Sequence, residues 1–396
     1  MKTSTHAHHW TLDPGVDFLN HGSFGATPIA VLEAQTELRA RMERQPVLFL
    51  GRELQGLLDA AREELAAFVR CPPESLAFVP NATYGVNAVV RSLDLGPGDE
   101  LLVTDQEYQA SRNALDFAAK SAGARVEVVR LPFPLASEDE AVEAILSRVT
   151  GKTRLVLFDH VTSQTGLVLP VERILRALDE RGVDALIDAA HAPGMLDLDL
   201  SRLRPAYYTG NCHKWICAAK GAALLFVRED RQEKIHPLSI SHGATWPADQ
   251  RSRFWLEFDW TGTHDPTAWL TVPAAIRFMG KLLPGGWKEL REKNRALVLR
   301  GRELLCQALG IDAPAPESMI GSLAAVPLPD GTGEKPTTTL YSDALQQELY
   351  EEHRIEVPVI PWPAPPRRLL RISAQIYNRE EQYAKLAEAV GRIVGG

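Results

Sequence analysis

The sequence predicts an α/β protein with a large domain on a mostly parallel, doubly wound sheet, followed by a smaller C-terminal α+β domain. Two observations predict this fold class. Between Ala77 and Val227, short apolar runs alternate with segments of helical periodicity, a pattern typical of βαβ units. Beyond about Trp269, helical segments dominate and only two strand-like runs remain.

The predicted strands of the large domain are short and almost continuously apolar, as expected when helices cover both faces of a sheet. In chain order they are SLAFVP, ELLVTD, RVEVVRL, TRLVLFDHV and VDALIDAAH, followed by the two runs that flank GNCHKWICAAKG. The intervening segments, such as TYGVNAVVRSLDLG and VERILRALDERG, carry apolar residues at helical spacing.

The later part predicts helices at TVPAAIRFMGKLL, GGWKELREKNRALVLRGRELLCQAL, SDALQQELYEEH and NREEQYAKLAEAVGRIVGG, with strands at SLAAVPLP and RLLRIS. A Pro- and Thr-rich loop follows SLAAVPLP, and the prolines of EVPVIPWPAPPRR exclude a helix or a central strand there. We therefore expect an N-terminal segment at 1–20, a large domain at 21–270 and a small domain at 271–396.

Composition excludes several classes of protein. A chain of 396 residues suggests about two domains, and its net charge of −8 is opposite to that of a typical nucleic-acid binder. No apolar run is long enough to span a membrane, and the N-terminus has no signal-like apolar segment. Its four cysteines lack CxxC spacing, which favours a reduced, cytoplasmic protein. The charge and the lack of a membrane-spanning run predict no nucleic-acid or membrane partner.

Polar side chains follow five of the predicted strands, at the edge where doubly wound sheets bind ligands. They are Asn81-Ala82-Thr83, Glu107-Tyr108, Thr162 to Gly166, Asp188 with His191, and Asn211 with His213 and Lys214. Lys214 lies between two strand-like runs, among small and polar residues. A lysine that serves only as a surface charge does not need this setting, so Lys214 is a candidate reactive amine. The convergence of these groups predicts a functional site at this edge.

Three of these features have two interpretations each. Asn81-Ala82-Thr83 precedes a helix and fits a helix N-cap or an anion site equally well. Asp188 ends an apolar strand, where its charge needs either a structural salt bridge or a cationic ring nitrogen. Tyr108 is either a core aromatic or a flat surface for a planar cofactor.

Four other familiar motifs do not fit the sequence. VTGKT resembles the end of a P-loop but has Leu146 where the glycine is needed, and GPGDE is a turn followed by a strand. The sequence contains neither HExxH nor GxSxG, and we predict no metal site.

The motifs NAT, EYQA, DHVTSQTG, DAAHAPG, GNCHKW and WTGTHDP together resemble the class V aminotransferases, pyridoxal-phosphate enzymes of fold type I. The resemblance is closer to the isopenicillin N epimerase-like branch, through NHGSFGATP, GNCHKWICAAKG and WTGTHDPTAWLTVPAAI, and it runs from about Leu19 to the last helix. It implies pyridoxal 5'-phosphate as cofactor, an amino-acid substrate and a homodimer with a shared active site.

The resemblance also implies a role for each matching residue. Lys214 would form the internal Schiff base with the cofactor aldehyde, and Asp188 would pair with the pyridinium nitrogen. The remaining roles are stacking on the ring by Tyr108, contacts near the ring oxygen by His191 and Ser163, phosphate binding by Ala82, Thr83, Asn211, His213 and the second subunit's Thr263, and substrate carboxylate binding by Arg371.

Four positions depart from the patterns common among relatives. Asn211 stands where many have serine or threonine, Tyr108 where many have histidine, and Ala219 where proline is common. Ser163 stands where the cysteine desulfurases have asparagine, so contacts to the ring oxygen are expected to differ. Asparagine can still donate and tyrosine can still stack.

The reaction stays open between epimerisation, transamination and β-elimination from a cysteine conjugate (a C–S lyase), and the resembled branch favours epimerisation. A desulfurase of the persulfide type is disfavoured because the stretch from Leu340 to Arg371 has no cysteine. Cys212 and Cys217, which flank Lys214, are interpreted as packing residues. A non-catalytic binding protein with this fold is a further alternative, which the intact Lys214 and Asp188 disfavour.

Overall fold

A computed structural model describes residues 4–331 and 343–395. Its strands are β1 (Asp17–Phe18), β2 (Leu76–Val79), β3 (Glu100–Thr104), β4 (Arg125–Val129), β5 (Thr153–Asp159), β6 (Asp184–Asp188), β7 (Tyr207–Asn211), β8 (Ala223–Val227), β9 (Leu323–Leu328), β10 (Ile355–Glu356), β11 (Val359–Pro361) and β12 (Arg368–Ser373).

The α-helices are α1 (His21–Phe24), α2 (Ile29–Arg44), α3 (Pro46–Leu48), α4 (Leu54–Val69), α5 (Ala82–Ser92), α6 (Gln109–Ala122), α7 (Glu138–Leu146), α8 (Val171–Asp179), α9 (Leu200–Leu203), α10 (Arg253–Asp259), α11 (Thr267–Leu270), α12 (Val272–Lys281), α13 (Gly286–Leu309), α14 (Ala344–Glu351) and α15 (Glu380–Gly395). Every strand and helix named in the sequence analysis has a counterpart, with ends displaced by a few residues.

The central sheet has seven strands in the order β2-β8-β7-β6-β5-β3-β4. β8 alone runs antiparallel to its neighbours β2 and β7, and the other pairs are parallel. Successive strand residues point to opposite faces, and each face has its own apolar core. Leu102 and Ile187 belong to one core, while Leu101 and Leu186 belong to the other. The predicted α/β class with a mostly parallel, doubly wound sheet is confirmed.

The C-terminal part forms a second, antiparallel sheet in the order β11-β12-β9, packed against α13 and α15. β11 comes from the proline-rich segment and lies at the sheet edge, where the missing N–H groups are tolerated. β1 pairs with β10, and Leu19 lies in the apolar core of the C-terminal part. The division at 20/21 and 270/271 stays a prediction.

Most of the Pro- and Thr-rich loop predicted after β9 lies outside the described residues. Within the described ranges, no helix combines the length and the apolar character needed to cross a membrane. A cytoplasmic location stays a prediction.

Candidate active site

Lys214 lies in the short connection between β7 and β8. Its amine Nζ is 3.2 Å from Nε2 of His191, which follows β6. Part of the side chain reaches solvent, yet burial of the amine, followed by the nearby Arg371 charge, lowers the pKa of Lys214 to about 7. Asp188 and Asp159 oppose this shift without cancelling it. Near neutral pH a large share of Lys214 is therefore the free, nucleophilic amine.

Asp188 ends β6 and is buried. One carboxylate oxygen accepts a hydrogen bond from the Ser111 hydroxyl at 2.7 Å, and the other accepts one from the Ala190 backbone N–H at 3.0 Å. Among the described residues, no cation lies within ion-pair distance of this carboxylate, so the structural salt bridge considered for Asp188 is wrong. Burial raises the pKa of Asp188, because a buried carboxylate without a cation is costly.

Two further buried carboxyl groups lie beside Asp188. Asp159 ends β5 in direct register with Asp188, and Glu107 follows β3. Burial raises the pKa of Glu107, and the neighbouring Asp159 and Asp188 raise it further; burial and Asp188 likewise raise the pKa of Asp159. Three carboxyl groups at one sheet edge repel one another when ionised, and a cationic ring bound beside Asp188 would relieve this repulsion and favour the carboxylate form.

The N-terminus of α5 lies at the same edge. The Asn211 side-chain oxygen accepts a hydrogen bond from the Ala82 N–H at 2.9 Å, and the Asn81 side chain accepts one from the Tyr84 N–H at 2.8 Å. Asn81 is therefore an N-cap, and Asn211 holds the first turn of α5. Thr83, also in that turn, is partly exposed, so the helix dipole and this hydroxyl remain available to an anion.

His213 precedes Lys214 in the same connection and is uncharged. Its Nδ1 donates to the Ala222 carbonyl oxygen at 2.9 Å. Burial, followed by the Lys214 charge, lowers the pKa of His213 to about 4, so the ring is uncharged at neutral pH. Because the single N–H of the neutral ring is used by the Ala222 carbonyl, an anion bound here would meet the helix dipole and the Thr83 hydroxyl rather than an imidazolium.

Tyr108 and Thr263 occupy exposed positions. Tyr108 caps the start of α6 and is 45% exposed, so its interpretation as a core aromatic is wrong and its ring is available for stacking. Thr263 lies in an exposed turn between α10 and α11. The role of Thr263 at a second subunit's site stays a prediction.

Arg371 lies in the interior of β12 and is 3% exposed. Its guanidinium donates to the Ser163 carbonyl oxygen at 2.6 Å and to the Ser23 hydroxyl at 2.8 Å. A longer contact of 3.3 Å reaches the side-chain oxygen of Asn20. Arg371 thus joins the N-terminal segment, the end of β5 and the second sheet at the site.

Sequence reasoning missed several residues around these groups. Ser111, which binds Asp188, lies inside the apolar and polar alternation of α6 and gave no signal. Asn20, His21 and Ser23 belong to NHGSFG, a polar, glycine-containing run that was noted only as part of the family resemblance. Such a run directly before a helical pattern is the one signal that could have identified them.

This set of side chains fits pyridoxal phosphate. A free amine, a buried carboxylate without a cation and an accessible helix N-terminus suit its aldehyde, its ring nitrogen and its phosphate, respectively. Lys214, Asp188 and the first turn of α5 would hold these three groups, with Tyr108 and His191 beside the ring.

Gly25 fixes the position of the lysine connection. Its φ is +71°, and a β-carbon there would collide with the His213 carbonyl oxygen and press on the Lys214 backbone. We predict that Gly25→Ala lowers the free energy of unfolding by at least about 2 kcal/mol and weakens cofactor binding. Urea unfolding and cofactor titration measure both effects. Gly56→Ala is the control: Gly56 lies on the exposed face of α4 with open space around it, so this change should be neutral or stabilising. Equal effects of the two variants would contradict the role assigned to Gly25.

Comparison with known proteins agrees with this geometry. The family of class-V aminotransferases matches residues 20–386. The isopenicillin N epimerase of Amycolatopsis lactamdurans is 40% identical over 397 residues, covering 97% of this chain and 96% of the relative. A probable chloroplastic L-cysteine desulfhydrase of Arabidopsis thaliana is 28% identical over 99% of this chain and 85% of its own length.

Among solved structures, a C-DES variant with glycine covalently linked to its PLP cofactor superimposes with a TM-score of 0.79 at 23% identity, covering 97% of this chain and 98% of the other. Fold and site together define a pyridoxal-phosphate-dependent enzyme of fold type I. The chain belongs to the class-V aminotransferase family.

Proposed function

We propose that this enzyme epimerises the α-carbon of an amino-acid substrate, as an isopenicillin N epimerase does. The observation that carries the proposal is the 40% identity to such an epimerase along 97% of the chain, together with intact Lys214, Asp188 and Arg371 at one pocket. Bound pyridoxal phosphate supplies an electron sink that acidifies the substrate α-carbon.

The chain's own residues would bind the substrate and move its proton. We assign Arg371 to the substrate carboxylate, because a planar guanidinium gives two parallel hydrogen bonds. Lys214, with its pKa lowered to about 7, can accept a proton at one face of the α-carbon and return it near neutral pH. A cationic ring nitrogen bound beside Asp188 would hold the buried group in its carboxylate form.

Arg371→Lys tests the carboxylate assignment. Lysine keeps the charge but loses the two-point contact and the links to Ser163 and Ser23, so we predict a KM increase of about tenfold or more. Steady-state kinetics measure it. Arg368→Lys is the control and should leave KM unchanged, because Arg368 lies three residues earlier on the same strand and pairs with Asp343 at 2.7 Å. A KM for Arg371→Lys equal to that of the wild type would exclude the assignment.

A persulfide-type desulfurase finds no support in the described cysteines. Cys212 and Cys217 are buried, and burial raises the pKa of both thiols, that of Cys217 to about 12. Burial also raises the pKa of the Cys71 thiol to about 12. A neutral, inaccessible thiol is a poor nucleophile, so the interpretation of Cys212 and Cys217 as packing residues stands.

β-Elimination from a cysteine derivative is the second candidate function. The observation that favours it is the similarity along 99% of the chain to a probable L-cysteine desulfhydrase. Elimination needs the same lysine and the same carboxylate clamp, but it requires a leaving group on the substrate and no proton delivery to the opposite face.

One experiment separates these reactions. The purified enzyme is incubated in heavy water with isopenicillin N, L-cysteine and a panel of L- and D-amino acids, with Lys214→Ala as the inactive control. Solvent deuterium at the α-carbon with loss of chirality supports epimerisation. Release of pyruvate and sulfide from L-cysteine supports the lyase, and conversion of the cofactor to its amine form supports an aminotransferase; either result without epimerisation overturns the proposal.

We propose further that the enzyme is a homodimer that shares its active sites. Thr263 is exposed, as are the apolar side chains of Phe24, Val47, Ile240 and Trp246, which a second copy would cover. We predict a dimer in sedimentation experiments and a five- to tenfold weaker affinity for pyridoxal phosphate, roughly one lost hydrogen bond, in Thr263→Ala. A fully active monomer would contradict this proposal.

A further inference from the structure

The indole of Trp215 contacts the imidazole of His191 directly behind the reactive amine. Trp215 Nε1 donates a hydrogen bond to His191 Nδ1 at 3.3 Å, and both side chains are 1% exposed. An indole N–H can only donate, so Nδ1 of His191 is an acceptor and carries no proton.

The proton of a neutral His191 must then be on Nε2. Burial, followed by the charges of Lys214 and Arg371, lowers the pKa of His191 well below its usual value, so the ring is neutral at physiological pH. Nε2 lies 3.2 Å from Lys214 Nζ. The His191 Nε2–H can donate a hydrogen bond to Lys214 Nζ only if that nitrogen has a lone pair. The free amine has one, and the ammonium does not.

We propose that Trp215 is a positioning residue that fixes His191 in its Nε2–H tautomer, so that His191 donates a hydrogen bond to the free amine of Lys214. The inference rests on the proposed role of Lys214 as the reactive amine. Trp215 acts through the His191 imidazole and is assigned no contact with substrate or cofactor.

A second imidazole beside Lys214 provides an internal reference. His21 Nε2 lies 3.0 Å from the Lys214 carbonyl oxygen, which can only accept, and the Tyr377 hydroxyl lies 2.8 Å from His21 Nδ1. His21 is therefore also an Nε2–H tautomer, but the backbone sets its tautomer rather than the indole. A change at Trp215 should alter His191 and leave the tautomer of His21 unchanged.

Loss of the indole N–H has a defined consequence for the lysine. His191 could then hold its proton on Nδ1 and present Nε2 as an acceptor, which stabilises the ammonium form and raises the pKa of Lys214. The charged and titratable groups that face this amine are His191, Arg371, Asp188, Asp159, His21 and His213. Among these groups, His191 is the one that accepts a hydrogen bond from Trp215. The His21 ring lies 4.8 Å from the Trp215 ring, and phenylalanine keeps an aromatic ring at that position.

The first test uses the full-length wild-type chain labelled with ¹⁵N-histidine, with and without pyridoxal phosphate. His191 is assigned by the loss of its signals in His191→Asn. Nitrogen NMR should show an unprotonated Nδ1 and a protonated Nε2 in the cofactor-free chain. A proton on Nδ1 of His191 would overturn the inference, and this result does not depend on the folding of any Trp215 variant.

The second test compares Trp215→Phe with Trp287→Phe. Trp287 also donates its indole N–H, in this case to the backbone carbonyl of Ile276 at 3.0 Å, but it lies on α13 away from the site. The rate of covalent attachment of pyridoxal phosphate is followed by visible absorbance against pH. At pH 7 attachment should be about fivefold slower in Trp215→Phe, the effect of about one hydrogen bond, and equal to wild type at pH 9, where the amine is free in both.

Trp287→Phe should follow the wild-type profile. Identical profiles for Trp215→Phe and wild type would contradict the inference, as would a slowing that persists unchanged at pH 9, which indicates damaged packing alone. Failure of wild type to attach the cofactor at Lys214 would instead defeat the proposed function, whatever the tautomer of His191.

Discussion

Lys214→Ala is expected to abolish covalent attachment of pyridoxal phosphate and to lower kcat by at least about 10³-fold. The reason is that the Lys214 amine, beside His191 and with its pKa lowered to about 7, is the free nucleophile assigned to the cofactor aldehyde. The visible absorbance of the cofactor-loaded protein and the turnover of the identified substrate measure the two effects.

Lys220→Ala is the matched control for Lys214→Ala. Lys220 lies six residues further along the same connection, and its amine contacts the Thr27 hydroxyl at 3.3 Å rather than the carboxyl groups. This variant should retain covalent attachment. If the cofactor remained covalently bound in Lys214→Ala, the assignment of the reactive amine would be wrong.

Asp188→Asn is expected to reduce kcat on the order of 10²- to 10³-fold while preserving the fold. Asparagine has nearly the same shape and can still bond Ser111, but it cannot balance a cationic ring nitrogen. The ring then loses much of its power to accept electrons from the substrate. Steady-state kinetics with the identified substrate check the magnitude.

The folding stability of Asp188→Asn is an independent test of the cost of burying the Asp188 charge. Burial raises the pKa of Asp188 in the folded chain, so the stability that this group contributes is present at low pH and is lost as pH rises through its folded pKa. At neutral pH the cofactor-free variant should thus be no less stable than wild type. Its stabilisation by added pyridoxal phosphate should be smaller.

Asp184→Asn is the control at the other end of the same strand. Asp184 pairs with Arg231 at 2.7 Å, away from the site, so its replacement should leave kcat unchanged. A wild-type kcat in Asp188→Asn, or an equal loss in both variants, would contradict the role of Asp188.

The order of the large-domain elements could be predicted because hydrophobic periodicity records which faces of a strand or helix are buried. Parallel strands bring their carboxyl ends to one edge, so the sequence alone predicts that Asp188 and Lys214 converge. The family resemblance then supplied roles that periodicity cannot.

The partners of these residues could not be predicted in the same way. Ser111 bonds Asp188 from 77 positions away, and Asn20 meets Arg371 from 351 positions away. Periodicity indicates that a polar residue faces inward, but it carries no information on which distant polar group satisfies it. The cluster of Glu107, Asp159 and Asp188 is a further example, since each carboxyl group alone reads as an ordinary strand end.

The most direct test of Lys214 as the cofactor-binding lysine is a peptide map of the wild-type enzyme after incubation with pyridoxal phosphate and reduction with borohydride. Reduction makes the bond between the cofactor and its amine permanent, so mass spectrometry can locate it. We predict the cofactor's mass on the peptide that contains Lys214 and on no other lysine. A cofactor bound to another lysine, or to none, would contradict the account.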